Sequence, residues 1–90
     1  MATFDPTKFF VLREEFPELS DDEFSVSMLY AFGATYDEIV DCIGVTKPMV
    51  KKKLNSSKGK LSLESMHSIR LVVNMRISLS AITILKSGKY

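Results

Sequence analysis

GVTKPMVKKKLNSSKGKL, residues 44–61, is the stretch that decides how this 90-residue chain is read. Gly44 and Val45 make a tight turn. Thr46 is placed to cap a helix, and Pro48 falls in that helix's first turn, where a missing N–H costs little. Val50, Leu54 and Leu61 recur at helical spacing and are expected to face inward. Lys47, Lys51, Lys52, Lys53, Lys58 and Lys60 stand on the same segment, with no acid among residues 46–60. Ser56, Ser57 and Gly59 are poor helix formers, so fraying or a kink is expected there.

Working outward, residues 36–43 form an amphipathic segment ending at Gly44. Thr35 and Glu38 make a capping box in front of it, and Ile39, Val40 and Ile43 supply its buried stripe. A helix, a short Gly turn and a second, basic helix give the outline of a DNA-binding helix-turn-helix. Upstream, Ser20-Asp21-Asp22-Glu23 is a second capping box, its acids suited to the positive end of a helix dipole. Phe24, Met28, Leu29, Ala31 and Phe32 follow at helical spacing until Gly33 stops the helix. Asp5-Pro6 opens a short helix over 6–15, with Phe9, Phe10, Leu12, Arg13 and Phe16 on a loose apolar face, and Pro17 ends it. Downstream, 62–77 reads as a further core helix through Leu63, Met66, Ile69, Val73 and Ile77. Residues 78–85 either extend that helix or form a strand-like tail, and 86–90 read as a loose end. The expected fold is all-α: a small helical bundle with a helix-turn-helix, four core helices plus a short N-terminal helix. The expected parts are an extension over 1–18, the helix-turn-helix domain over 19–77, and a tail or helix extension over 78–90.

A net charge of +1 conceals a divided chain. Residues 1–45 hold ten acids and two bases and carry −8; residues 46–90 hold ten bases and one acid, Glu64, and carry +9. A basic pole suits a polyanion, with the acidic pole turned away from it. The lone cysteine, Cys42, cannot close an internal disulfide and reads as a small buried hydrophobe in a reducing compartment. With His67 far away in sequence, it cannot build a zinc site. No signal peptide is legible, because charged residues interrupt the first sixteen positions. Residues 69–85 are apolar, but Arg70 and Arg76 would each cost about 2.5–3.5 kcal/mol at a bilayer centre, so no membrane span is expected.

Residues 19–61 resemble, without a gap, the LuxR/FixJ-type (GerE-like) helix-turn-helix transcription factors of bacteria. That family opens its first helix with Leu-Thr-x-x-Glu; this chain has Leu19-Ser20-Asp21-Asp22-Glu23. Val26 and Leu29 stand for the family's aliphatic pair, and Ala31-Phe32-Gly33 for its Ala-x-Gly. Thr35 with Glu38-Ile39-Val40 matches its second helix, and Ile43-Gly44-Val45-Thr46 its turn. Met49-Val50-Lys51 and Lys60-Leu61 match its recognition helix. The departures are Met49 in place of a small hydroxyl, Lys53 where a His is common, and Tyr36-Asp37 where a basic or amide residue is usual. Relatives often carry an N-terminal sensor, and the eighteen residues before Leu19 are too few for one. The resemblance implies transcription regulation by sequence-specific binding of double-stranded DNA in the cytoplasm, with no cofactor.

Positions that reach base edges in the resembled family map onto Lys51, Lys52 and Asn55. Lysine can donate to guanine O6 and N7, and asparagine can pair with adenine. Thr35, Thr46, Lys47, Lys53 and Lys60 are the candidates for phosphate, which positions without specifying. The plain alternative for the lysines is a solvated helix face. Glu23 and Glu38 are read as capping residues rather than catalytic carboxylates, and His67 has no partner at ligand spacing, so no enzyme is expected. The last helix has apolar residues on more than one face, among them Leu71. A homodimer is expected, with Val72, Met75, Leu79, Ile82 and Leu85 in its interface. Cover by the Phe-rich N-terminus (Phe4, Phe9, Phe10, Phe16), itself a possible docking patch, is the bland alternative. The rival function is a degenerate helix-turn-helix that pairs with a larger regulator and modulates it.

Overall fold

The computed structural model describes residues 10–86, with side-chain surroundings for 12–80. Within them every regular element is a helix: α1 (Phe10–Arg13), α2 (Asp21–Ala31), α3 (Tyr36–Ile43), α4 (Lys47–Lys60) and α5 (His67–Lys86). The chain is thus the all-α small bundle expected of its sequence. The N-terminal helix is shorter than 6–15 at its C-terminal end, closing at Arg13 before the turn at Glu14-Glu15; residues 6–9 lie outside the described residues.

Helix α2 sits at the centre. Its residues Glu23, Phe24, Ser25, Val26, Ser27 and Met28 are consecutively buried, so it is covered on all sides rather than along one stripe. Helices α4 and α5 both pack on it, and α3 packs against α2 and α4. Phe16, Leu19, Ile39, Val50, Leu54, Ile69 and Val73 complete the buried core around Phe24, Val26 and Met28. Phe32 departs from the expected stripe: it is the C-cap of α2 and 59% exposed.

Both capping boxes form. Glu23 N donates to Ser20 Oγ at 3.3 Å while Ser20 N donates to Glu23 Oε1 at 2.8 Å, and Thr35 and Glu38 repeat the exchange at 3.2 and 2.9 Å. Gly44 ends α3 with φ of 81°, a conformation cheap only without a Cβ. Helix α4 runs unbroken through Ser56, Ser57 and Gly59, against the expected kink. Ser57 is fully buried and its hydroxyl donates to Lys53 O at 2.8 Å, so its polar group is satisfied inside the helix.

The last helix begins five residues later than expected. Ser62 adopts a left-handed φ of 58°. Ser62 N donates to Gly59 O at 3.1 Å and Leu63 N to Lys58 O at 2.9 Å, the paired bonds of a Schellman stop. The chain therefore turns at 62–66, and α5 starts at His67. Leu63 and Met66 still pack on the core from that turn. Beyond Ile77 the helix continues to Lys86, so of the two expectations for 78–85 the helical extension is the one adopted. No helix among the described residues is long and apolar enough to cross a membrane.

Candidate nucleic-acid interface

Helix α4 is held from within by Val50, Leu54 and Ser57, all fully buried. That docking decides which of its polar residues reach water. Lys51, Lys52 and Asn55, the three candidates for base edges, are all exposed on the outer side. Lys51 Nζ lies 5.9 Å from the ring centroid of Tyr36, which in turn packs 6.4 Å from Tyr30. Asn55 Nδ2 donates to Lys51 O at 3.1 Å, so part of its amide is engaged by its own helix and must turn away to read a base. Met49 is 41% exposed at the third position of α4.

The phosphate candidates divide. Thr35 and Thr46 are N-caps whose hydroxyl oxygens accept from Glu38 N and Met49 N, at 3.2 and 3.4 Å. The Thr46 hydroxyl proton remains available to an anion, whereas the Thr35 hydroxyl is already engaged with the Glu38 carboxylate. The three lysines each face a carboxylate from a neighbouring helix. Lys47 lies 3.4 Å from Asp37, Lys53 lies 3.9 Å from Asp22, and Lys60 lies 2.7 Å from Glu23. These acids could not be assigned from sequence, because they belong to α2 and α3 and meet α4 only on folding.

Glu23 has the largest role that sequence reasoning missed. It is 3% exposed, and besides capping α2 it accepts hydrogen bonds from Lys60 Nζ and Ser56 Oγ on α4. Burial pushes its carboxyl up. The bonds from Lys60, the Ser20 amide and Ser56 outweigh that and hold it down at about 2. The only signal in the sequence was Ser56 and Lys60 at i, i+4, which places both on one side of α4. The Glu38 carboxyl is also lowered, by the Thr35 amide and hydroxyl.

Helix α5 is fastened by cations on carbonyls and rings. Arg76 makes two bonds to the Glu18 carboxylate, at 2.9 and 2.8 Å, and one to Glu15 O at 2.9 Å, lying over the Phe16 ring. The guanidinium holds the Glu18 carboxyl down at about 2. Arg70 donates to Tyr30 O and covers the Tyr30 ring at 4.2 Å, and Asn74 donates to Ala31 O. The outer side of α5 presents Leu71, Met75 and Leu79, which are 67%, 50% and 56% exposed. Val72 is half-buried. Ile82 and Leu85 lie on α5, but their side chains fall outside the described residues.

His67 is exposed at the start of α5, and no group of His, Cys, Asp or Glu among the described residues could hold a metal ion. Cys42 is half-buried on α3. No protein-family model, no curated protein and no solved structure matches the chain.

Proposed function

We propose that the chain is a LuxR-type bacterial transcription regulator that binds duplex DNA by laying α4 in the major groove. The observation that supports this most is the outer side of α4: Lys51, Lys52 and Asn55 exposed together on a helix whose inner side is locked by Val50 and Leu54. The three-residue turn between α3 and α4 gives the order that this mode of binding uses. One recognition helix reads few base pairs, so the proposal includes a homodimer over two half-sites about 10 base pairs apart. Leu71, Met75 and Leu79, at i, i+4 and i+8, form the apolar strip through which α5 would pair.

The test is a salt titration on random duplex and on the DNA beside the protein's own gene. With four to six phosphates neutralised, log K should fall against log salt with a slope of roughly −4 to −5. Lys51→Ala should cost about 1–3 kcal/mol on the cognate site and relax preference at one base pair. Equal losses on cognate and random DNA would remove the base-reading role of Lys51. A second reading, a module that pairs with a larger regulator, is favoured by the carboxylates on Lys47 and Lys53 and by the exposed Met49. Absence of duplex binding at low salt would bring it forward.

A further inference from the structure

The three lysine–carboxylate pairs on α4 are not equivalent. Lys60 meets a buried carboxylate that joins α2 to α4. Lys53 and Asp22 stand 3.9 Å apart, at the limit of an ion pair. Lys47 and Asp37 face each other at 3.4 Å across the turn, Asp37 being the second residue of α3 and Lys47 the first of α4, and both are exposed. The fold has little use for this last pair. Thr35 and Glu38 cap α3, Gly44 makes the turn, and Thr46 caps α4. An exposed pair of this kind adds little to stability.

Its consequence for a polyanion is larger. Lys47 stands at the end of α4 whose unpaired N–H groups already favour a phosphate. A carboxylate beside it cancels that cation and adds repulsion. A phosphate that takes Lys47 must first displace Asp37.

We infer that Asp37 is an internal competitor for phosphate: it occupies Lys47, lowers the affinity of the α4 surface for every duplex alike, and leaves the outer Lys51, Lys52 and Asn55 untouched. This rests on the reading of α4 as a DNA surface. The competition acts on the sequence-independent part of binding, since phosphate contacts position and base contacts specify. Asp41 is the natural control. It lies on the same helix, is exposed, and makes no ion pair with a lysine of α4 among the described residues.

The experiment compares wild type, Asp37→Asn, Asp41→Asn, Lys47→Ala and the Asp37→Asn/Lys47→Ala double variant. Each is titrated with salt on random duplex and eluted from immobilised heparin, a polyanion without bases; circular dichroism checks that helix content is kept. Asp37→Asn should steepen the salt slope by about 0.9, one phosphate's worth, which is about a three- to fourfold greater loss of affinity between about 50 and 200 mM salt. Asp41→Asn, with the same net charge, should shift binding less. Lys47→Ala should do little to wild type and remove the whole gain in the Asp37→Asn background. Equal shifts for the two aspartate variants, or additive effects of Asp37→Asn and Lys47→Ala, would overturn the competition. Coupled shifts on heparin with no duplex binding by any variant would uphold the competition and defeat the DNA reading. No retention on either polyanion would defeat both.

Discussion

Helices α4 and α5 are the two long helices, both dock on α2, and each adds an ion pair to its apolar seat, on a buried carboxylate for α4 and on a partly exposed one for α5. Helix α4 brings Val50 and Leu54 to the core and then adds an ionic pin on a buried carboxylate, Glu23 with Lys60 and Ser56. Helix α5 brings Ile69 and Val73 and fastens its flanks with Arg70, Asn74 and Arg76 on carbonyl oxygens and aromatic rings, Arg76 also gripping the Glu18 carboxylate. Their outer sides differ as well: lysines and an asparagine on α4, leucines and a methionine on α5. A buried carboxylate fixes a helix in one setting because its bonds are directional and costly to leave unmade, whereas the Arg76–Glu18 pair on α5 is partly open to water and holds less firmly. The helix that would have to meet a groove in one orientation is the one carrying the pin.

The largest test of this contrast removes the pin. Glu23→Gln keeps a capping amide but loses the ion pair to Lys60. With the carboxyl held at about 2 against an ordinary 4.5, the bonds from Lys60, the Ser20 amide and Ser56 together, net of burial, correspond to about 3 kcal/mol of stability at neutral pH, of which the Lys60 pair is one part. A depressed carboxyl contributes fully above its unfolded value and loses that contribution as pH falls through its folded value. Wild-type stability should therefore decline from about pH 5 to about pH 2. Urea unfolding of Glu23→Gln should show a lower midpoint at pH 7 and a flatter acid limb, with a remnant from Glu18. An undiminished acid limb would show that Glu23 does not hold α4.

The next test concerns the other outer side. Leu79 is 56% exposed, so Leu79→Glu should leave the fold within about 0.5 kcal/mol of wild type. In a dimer paired through α5 it would bury two carboxylates. Sedimentation equilibrium should give a dimeric wild type and a monomeric, fully helical variant. A wild-type monomer at tens of micromolar would end the proposed pairing and with it the functional contrast between the outer sides.

The smallest effect is expected at Gly59, inside the last turn of α4. A Cβ there meets nothing within 4 Å, and the backbone is helical. Gly59→Ala should stabilise by up to about 1 kcal/mol, read as a rise in melting temperature, and should leave the Glu23–Lys60 contact in place. A destabilised variant would mean that α4 needs the freedom of glycine near the pin.

The sequence by itself determined much of what depends on neighbours a few residues apart. Both capping boxes, the glycine stop at Gly44, the positions of α2, α3 and α4 and the inward Val50 and Leu54 are local patterns with local causes. Where local signals competed with packing, packing won. Ser57 stays helical because burial and its bond to Lys53 O satisfy it, and Ser62 accepts a left-handed turn that delays α5 to His67 while keeping Leu63 and Met66 on the core. The lysines were legible as a set, but not their division. Which of them face water and which face a carboxylate depends on where α2 and α3 lie against α4, and that is a long-range matter: Glu23 meets Lys60 across 37 residues, and Asp22 meets Lys53 across the whole of α3 and the turns on either side of it. Tertiary structure alone decided that Glu23 serves both its own helix and another, because only burial beside Ser56 and Lys60 turns a capping residue into an ionic pin.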